Sequence, residues 1–314
     1  MINPYKYSFD NKRYQTLNYY LKTTYHHKVA KISLDAGFTC PNRDGTCGYH
    51  GCLFCSDEGS GEFTQASSIS LLKQYAQNKA LMQKKWPNCL TIPYFQSFTN
   101  TYGPLSKIQA CVEPFLKLKE VVAISIATRP DCLDDEKISY LDSLCDQKAI
   151  WIELGVQSTN DTTMQKMNRG HDFQCVKTCL EKLAKTRIKV CLHIINSLIG
   201  ETEEDMLKTV KDLKPLSFDA IKIHMLYIAS NSNIAPLFLK KPFKLLTATE
   251  YIDIVIKQLE LLDEKIIVER LTGDPKKELL IAPNWVLNKT AVLNAIDKEM
   301  VKRKTYQGRK YQEY

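Results

Sequence analysis

Four of the eleven cysteines fall within the short stretch Cys40 to Cys55, which reads CPNRDGTCGYHGCLFC. Thiolates packed this closely are soft ligands, and in a chain without an export signal they hold a metal or a cluster more often than they form disulfides. Cys52-Leu-Phe-Cys55 is a C-x2-C pair, a spacing that lets two thiolates bind one centre while the backbone turns around it. Cys40 lies upstream with eleven residues between it and Cys52, and Cys47 is the ambiguous fourth. Chemistry alone leaves three readings. A three-thiolate cubane iron–sulfur cluster would leave one iron without a protein ligand, open to a small molecule. A tetrahedral zinc site would use all four cysteines, but zinc ribbons usually bring two C-x2-C knuckles and this stretch has one. A disulfide or redox pair is the third. The cluster fits the spacing best.

The rest of the chain must position that loop. It follows Val29–Leu34, a strand-like run, and its three glycines and one proline mark it as a loop on the strand's end. The 314 residues are 44% hydrophobic and 25% charged, enough for a large core and against wholesale disorder. The N-terminus shows no apolar signal segment, and no run of 18 apolar residues indicates a membrane span. A reducing, cytoplasmic setting is therefore expected. There Cys89, Cys111, Cys132, Cys145, Cys175, Cys179 and Cys191, scattered through apolar patterns, read as small core hydrophobes.

Periodicity then alternates. Helix signals over 69–85, 105–118, 134–145, 172–185, 203–213 and 247–262 separate strand signals over 89–95, 121–127, 149–156, 190–196 and 220–227, with a last strand-like run at 265–269 and a final helix over 287–304. Alternation with long crossovers predicts parallel strands, and so many in series suggest a sheet curling toward a barrel. The fold class expected is α/β, a partial (β/α)6 TIM-like barrel over 29–262, with an N-terminal extension over 1–28 and a C-terminal one over 263–314. Such barrels carry their chemistry at the carboxyl ends of the strands, where the cysteine loop sits.

With a strand followed by C-x11-C-x2-C and an aromatic before the last cysteine, the sequence resembles the radical S-adenosylmethionine (SAM) superfamily. TCPNRDGT at 39–46, YFQSFTNTY at 94–102, ATRPDCL at 127–133, WIELGVQS at 151–158, MNRGHD at 167–172, HIINSLIGE at 193–201, ERLTGDP at 269–275 and IAPNWVLNKTAVLNAID at 281–297 bring it closer to the YhcC-like branch, related to the Elongator catalytic subunit. The resemblance implies a [4Fe-4S] cluster on Cys40, Cys52 and Cys55, with Cys47 a bystander, and SAM bound at the open iron as the source of a 5′-deoxyadenosyl radical. It implies Gln96 and Ser97 near the SAM amino group, Glu153 toward its ribose, Arg169 on its carboxylate and Asn196 among the cofactor contacts. Two stretches depart from the branch: Ser197–Glu201, where a glycine-rich GLPGE is usual, and Tyr227–Asn233, which replaces a leucine-rich segment.

The Elongator-like relatives modify uridine at the wobble position of transfer RNA. The Gram-positive, MnmL-like branch implies conversion of 5-carboxymethylaminomethyl-uridine, with or without 2-thiolation, to 5-aminomethyl-uridine. The substrate carboxylate would need a cation near the barrel mouth, and Arg129, His193, Lys222, His224 and Arg270 are the candidates at strand ends or inner faces. An anticodon loop is single-stranded and can splay its base into a pocket. The net charge of +8 permits an RNA partner. The basic, tyrosine-interleaved tail over 302–311 and the N-terminal Tyr5, Lys6, Tyr7, Lys12 and Arg13 are the expected RNA contacts. An electron donor such as flavodoxin or ferredoxin is implied, and no membrane. A radical SAM enzyme on a small molecule or peptide, and a non-catalytic zinc-stabilised RNA-binding protein, are the competing readings.

Overall fold

The computed structural model describes residues 3–59, 61 and 64–313. Seven strands form one parallel sheet in chain order: β1 (Val29–Leu34), β2 (Leu90–Phe95), β3 (Ala123–Thr128), β4 (Ala149–Gln157), β5 (Lys189–Asn196), β6 (Ala220–Met225) and, after a short β7 (Ile228–Ala229), β8 (Ile267–Arg270). β7 pairs antiparallel with β9 (Leu280–Ala282) as a separate ribbon. The sheet is a curled partial barrel. Its seventh strand comes from the run expected in the C-terminal extension.

Helices α2 (Leu71–Lys85), α3 (Leu105–Leu116), α4 (Asp135–Ser143), α6 (Phe173–Leu183), α7 (Glu203–Leu213) and α9 (Ala248–Leu261) are the crossovers, with the short α5 (Asp161–Lys166) and α8 (Ala235–Lys240) inserted in loops. Their starts follow from capping side chains. Asp134 and Asp172 accept from the N–H three residues on, and Thr202 and Thr247 form capping boxes with Asp205 and Glu250.

The strands sort their side chains by alternation. The outward set, including Ile32, Leu34, Ile124, Ile126, Ile152, Leu154, Leu192 and Ile223, is buried beneath the helices. The inward set is layered. At the floor lie Val29, Ile92, Ala123, Trp151, Cys191, Ala220 and Ile267, sealed by Leu17, Tyr20, Leu21 and Tyr25. Those four belong to α1 (Leu17–Tyr25), which packs on both β1 and β8 and plugs the barrel bottom. This helix is absent from the elements expected above, although Leu17, Tyr20, Leu21 and Tyr25 recur at helical spacing behind the N-cap Thr16. One layer above, the inward residues are Lys31, Ser125, Glu153, His193 and Lys222. The apolar floor and the charged layer together leave a cavity open toward the carboxyl ends of the strands.

The two ends of the chain correct an expectation. The stretch 302–311 is a docked segment that follows α10 (Lys289–Lys302). Gln307 is wholly buried and its Nε2 donates to Asp263 O and Ile266 O, Lys310 pairs with Glu260 at 2.6 Å, and Gly308 N donates to Leu259 O. At the other end, Tyr5 OH donates to Glu264 O, Arg13 donates to Thr305 O and Lys12 pairs with Asp297. Tyr5, Lys12, Arg13 and the tail bind each other and the loop before β8, at the amino ends of the strands. That is the end opposite the cavity mouth, so they do not form a track into it. No described helix is long and apolar enough to cross a membrane.

Candidate active site

A cavity of about 360 Å³ opens at the carboxyl ends of the strands. Cys40, Cys52 and Cys55 all line it, and Cys47 does not. The loop that carries them is held from several sides. Cys55 N donates to Cys52 O at 3.0 Å, closing the turn between the paired thiols, and Gly51 N donates to Asn42 O at 2.7 Å. Asn42, fully buried, donates to Asn168 O, while Asn168 Nδ2 donates back to Gly51 O at 2.8 Å. Leu53 N donates to Met167 O and Ile234 N donates to Leu53 O. The departing segment 227–233 thus buttresses the cysteine loop: Asp57 N donates to Asn231 O and Asn233 donates to His50 O.

The thiols sit in a cationic pocket. Arg169 Nη1 donates to Cys52 Sγ at 3.6 Å, and Arg129 lies 3.9 Å from Cys40 Sγ and 3.6 Å from Cys47 Sγ. The Cys55 hydrogen bond, with Arg169 beside it, holds the Cys52 thiol well below its ordinary range, while the same bond to Cys52, aided by burial, pushes Cys55 well above it. Arg169 reaches this place because residue 155 is glycine: a Cβ there would lie 2.7 Å from Nη2, which donates to Gly155 O at 2.7 Å. Its Nε is buried without an acceptor. A donor set of three thiols on one wall, with an orphaned guanidinium N–H beside it, fits a three-ligand cluster and a carboxylate-bearing cofactor.

The opposite wall is a charge network. Glu153 Oε1 accepts from Lys31 at 2.5 Å and Ser125 at 2.6 Å; Oε2 accepts from Lys222 and from His193 Nε2 at 2.7 Å. Glu269 Oε2 accepts from Lys31 at 2.7 Å and lies 3.4 Å from Lys222. Burial alone would raise Glu153, but Lys222 and Lys31 outweigh it and hold the carboxylate well below its usual range. Burial keeps His193 and His224 neutral, with Lys222 beside the first and Arg270 beside the second reinforcing it. The bond from Nε2 to Glu153 leaves His193 Nδ1 as an acceptor.

Of the residues expected at the site, Cys40, Cys52, Cys55, Gln96, Arg129, Glu153, Arg169, His193, Lys222, His224 and Arg270 line this one cavity. Two do not. Ser97 is fully buried, 3.1 Å from Thr64 Oγ1 behind the β2 end. Asn196 exchanges two 2.8 Å hydrogen bonds with Gln258 of α9, on the outer side of the sheet. Strand alternation explains the second, since Asn196 follows the inward-facing Ile195. Glu153 is placed differently from its expected contact: four donors occupy its two oxygens, leaving none for a ribose. Arg129 is committed to Asp131, at 2.6 and 2.9 Å, and to Arg169 O. Lys31 and Glu269 were missed as functional candidates. The signal for Lys31 was present: a lysine at an inward position of an otherwise apolar strand.

The comparisons with known proteins agree with this geometry. Residues 46–213 match the Radical SAM superfamily model and 218–302 the Radical_SAM C-terminal domain. The uncharacterized protein YtqA of Bacillus subtilis is 43% identical over 99% of this chain and 96% of its own. Protein YhcC of Escherichia coli is 30% identical over 88% of this chain and 89% of its own. A tRNA uridine(34) acetyltransferase of Methanocaldococcus infernus is 23% identical over 49% of this chain and 29% of its own. The archaeal Methanocaldococcus infernus Elp3, solved with an N-terminal deletion, shares the fold at TM-score 0.66 and 16% identity, covering 90% of this chain and 64% of that one. With three thiols on one cavity wall and matches of this extent, the chain belongs to the radical SAM superfamily, in its YhcC-like branch, whose cofactors are a [4Fe-4S] cluster and S-adenosylmethionine.

Proposed function

We propose that this cavity modifies the wobble uridine of transfer RNA, converting 5-carboxymethylaminomethyl-uridine, with or without 2-thiolation, to 5-aminomethyl-uridine. The observation that carries the reading is the joining of two walls in one cavity, thiols on one side and the cationic Lys222 and Arg270 with two neutral histidines on the other. The partial similarity to a tRNA uridine(34) acetyltransferase supports RNA as the substrate class. With one electron from a flavodoxin- or ferredoxin-class donor, the cluster and SAM would supply the abstraction of a hydrogen atom from the substrate.

The chain's own residues do the rest. Cys40, Cys52 and Cys55 would hold the cluster, and Arg169, whose buried Nε has no acceptor among the described residues, would hold the SAM carboxylate. Gln96 and the backbone at Gly155 line the same wall. The Lys31–Glu153–Lys222–Glu269 network fixes the far wall without a mobile charge, and the apolar floor below it excludes water from a reactive site. His193 Nδ1 offers a neutral acceptor to a substrate N–H. Hydrogen removal from the carbon between amine and carboxylate would give a radical stabilised from both sides; loss of one further electron to the oxidised cluster would leave an imine, which water would hydrolyse to 5-aminomethyl-uridine and glyoxylate.

Mass spectrometry of tRNA nucleosides from a deletion strain tests the proposal. Accumulated 5-carboxymethylaminomethyl-uridine is the expected result, and an unchanged nucleoside profile would remove it. Deuterium on the glycine-like methylene should appear in 5′-deoxyadenosine.

A further inference from the structure

We infer that Arg270 is the residue that recognises the substrate's anionic group, and that this group is a carboxylate; the inference rests on the wobble-uridine reading of the same cavity. Five basic side chains line the cavity: Arg43, Arg129, Arg169, Lys222 and Arg270. Four are committed. Arg43 donates to the carbonyls of Ser56 and Asp57 and lies over the Phe98 ring at 5.0 Å. Arg129 pairs with Asp131, and Arg169 serves Cys52 and Gly155 O. Lys222 pairs with Glu153 and Glu269. Arg270 has no hydrogen-bond acceptor and no carboxylate partner among the described residues, although it is only partly exposed on a cavity wall.

The charge balance points the same way. Lys31, Lys222 and Arg270 stand against Glu153 and Glu269, three positive charges to two negative, with His193 and His224 neutral beside them; Asp274 also lines the cavity but is matched by Lys289 at 3.2 Å. The far wall is therefore one negative charge short, and a single monoanion on the substrate completes it. A guanidinium meets a carboxylate as two parallel N–H donors on two oxygens, so Arg270 selects for shape as well as charge. Its position is also right for a substrate and wrong for the cofactor. Arg270 ends β8, in register with Lys222 of β6, while the orphaned Arg169 Nε lies beside the cysteines.

The test compares wild type, Arg270→Gln and Arg270→Lys, with the cluster reconstituted. Binding is measured without reductant to purified tRNA carrying either 5-carboxymethylaminomethyl-uridine or 5-aminomethyl-uridine, which share every phosphate and differ in the carboxylate. Wild type should prefer the carboxylate-bearing tRNA. Arg270→Gln should lose that preference, by about ten- to a hundred-fold in affinity and in KM, and Arg270→Lys should lose part of it. SAM affinity, affinity for the aminomethyl tRNA and unliganded melting temperature should stay at wild-type values. A preference retained by Arg270→Gln would overturn the inference. So would an equal loss for both tRNAs, which assigns Arg270 to a phosphate, or a loss of SAM binding, which assigns it to the cofactor. Sarcosine, a small secondary amine with the same carboxymethyl group, separates this inference from the reading beneath it. If wild type does not turn over the modified tRNA, yet sarcosine raises the melting temperature of wild type and not of Arg270→Gln, the wobble reading fails and the carboxylate site stands. Turnover that Arg270→Gln leaves unchanged has the opposite meaning.

Discussion

Lys31 and Glu269 are 238 positions apart in the chain and 2.7 Å apart in the fold. They tie the first strand of the sheet to the last across the barrel interior, over the floor that α1 seals. Lys31 also holds Glu153 at 2.5 Å, so one ammonium joins β1, β4 and β8. A buried pair of this kind is strongly destabilising to break from one side, because the remaining charge is left without compensation. Lys31→Met and Glu269→Met should each cost about 3 kcal/mol in denaturant unfolding. The double variant should cost less than the sum by at least about 1 kcal/mol. Strict additivity would mean that the bridge contributes nothing to closing the sheet.

The cysteine loop allows a sharper comparison. Alanine at Cys40, Cys52 or Cys55 should abolish iron and sulfide incorporation on anaerobic reconstitution and remove the cluster absorbance. Alanine at Cys47, which is exposed and off the cavity wall, should retain both. Loss of the cluster in Cys47→Ala would return the four-ligand reading to the loop.

Ser197 stands at φ 71°, a left-handed backbone conformation that disfavours a side chain. It occupies the first position of the stretch where the resemblance to the YhcC-like branch implies glycine. Ser197→Gly should stabilise the protein by about 0.5 kcal/mol, the relief of strain exceeding the extra freedom gained by the unfolded chain. Thermal unfolding reads this directly, and a lowered melting temperature would show that the hydroxyl has a compensating role.

Burial raises the Glu201 carboxyl from its ordinary 4.5 to about 7, although the Ser158 hydroxyl that donates to it works in the other direction. The folded protein therefore keeps a proton that the unfolded chain releases between those two values. Stability from this group is fully present below about pH 4.5 and falls as pH rises through 7. Glu201→Gln should remove that slope. It should match wild type near pH 4.5 and exceed it at pH 8 by an amount on the order of 2 kcal/mol. Parallel stability curves across that window would show that the carboxyl is not held protonated.

Gln307 tests the corrected role of the tail. Its side chain donates to Asp263 O and Ile266 O and accepts from Gln15 N at 2.9 Å, from a wholly buried position. Gln307→Ala leaves these backbone groups unpaired and should cost about 2–4 kcal/mol. A surface role in RNA binding would instead leave the melting temperature unchanged and weaken binding.

How much could be read from sequence differs by residue, for identifiable reasons. The C-x2-C pair and its upstream cysteine were legible because ligand spacing within one loop is local geometry, and most of the strands and crossover helices were legible because alternation and capping are local too. Glu153 was legible as an inward residue but not in its role. Its four donors come from β1, β3, β5 and β6, and sequence order does not reveal that they converge on one carboxylate. Asn196 was misplaced because its neighbour, not itself, faces the cavity. α1 went unmarked although its stripe, Leu17, Tyr20, Leu21 and Tyr25, was legible at helical spacing; only its role as the plug of the barrel floor needed the fold. The basic tail read as an RNA arm because composition counts charges without showing their partners. Thus the sequence by itself determined the clustering of the cysteines in one loop, the order of most strands and crossover helices, and the family. Only the tertiary structure decided which charges cancel and which one is left over at Arg270, because charge pairing in this barrel is made between strands far apart in the chain and depends on burial that no local pattern records.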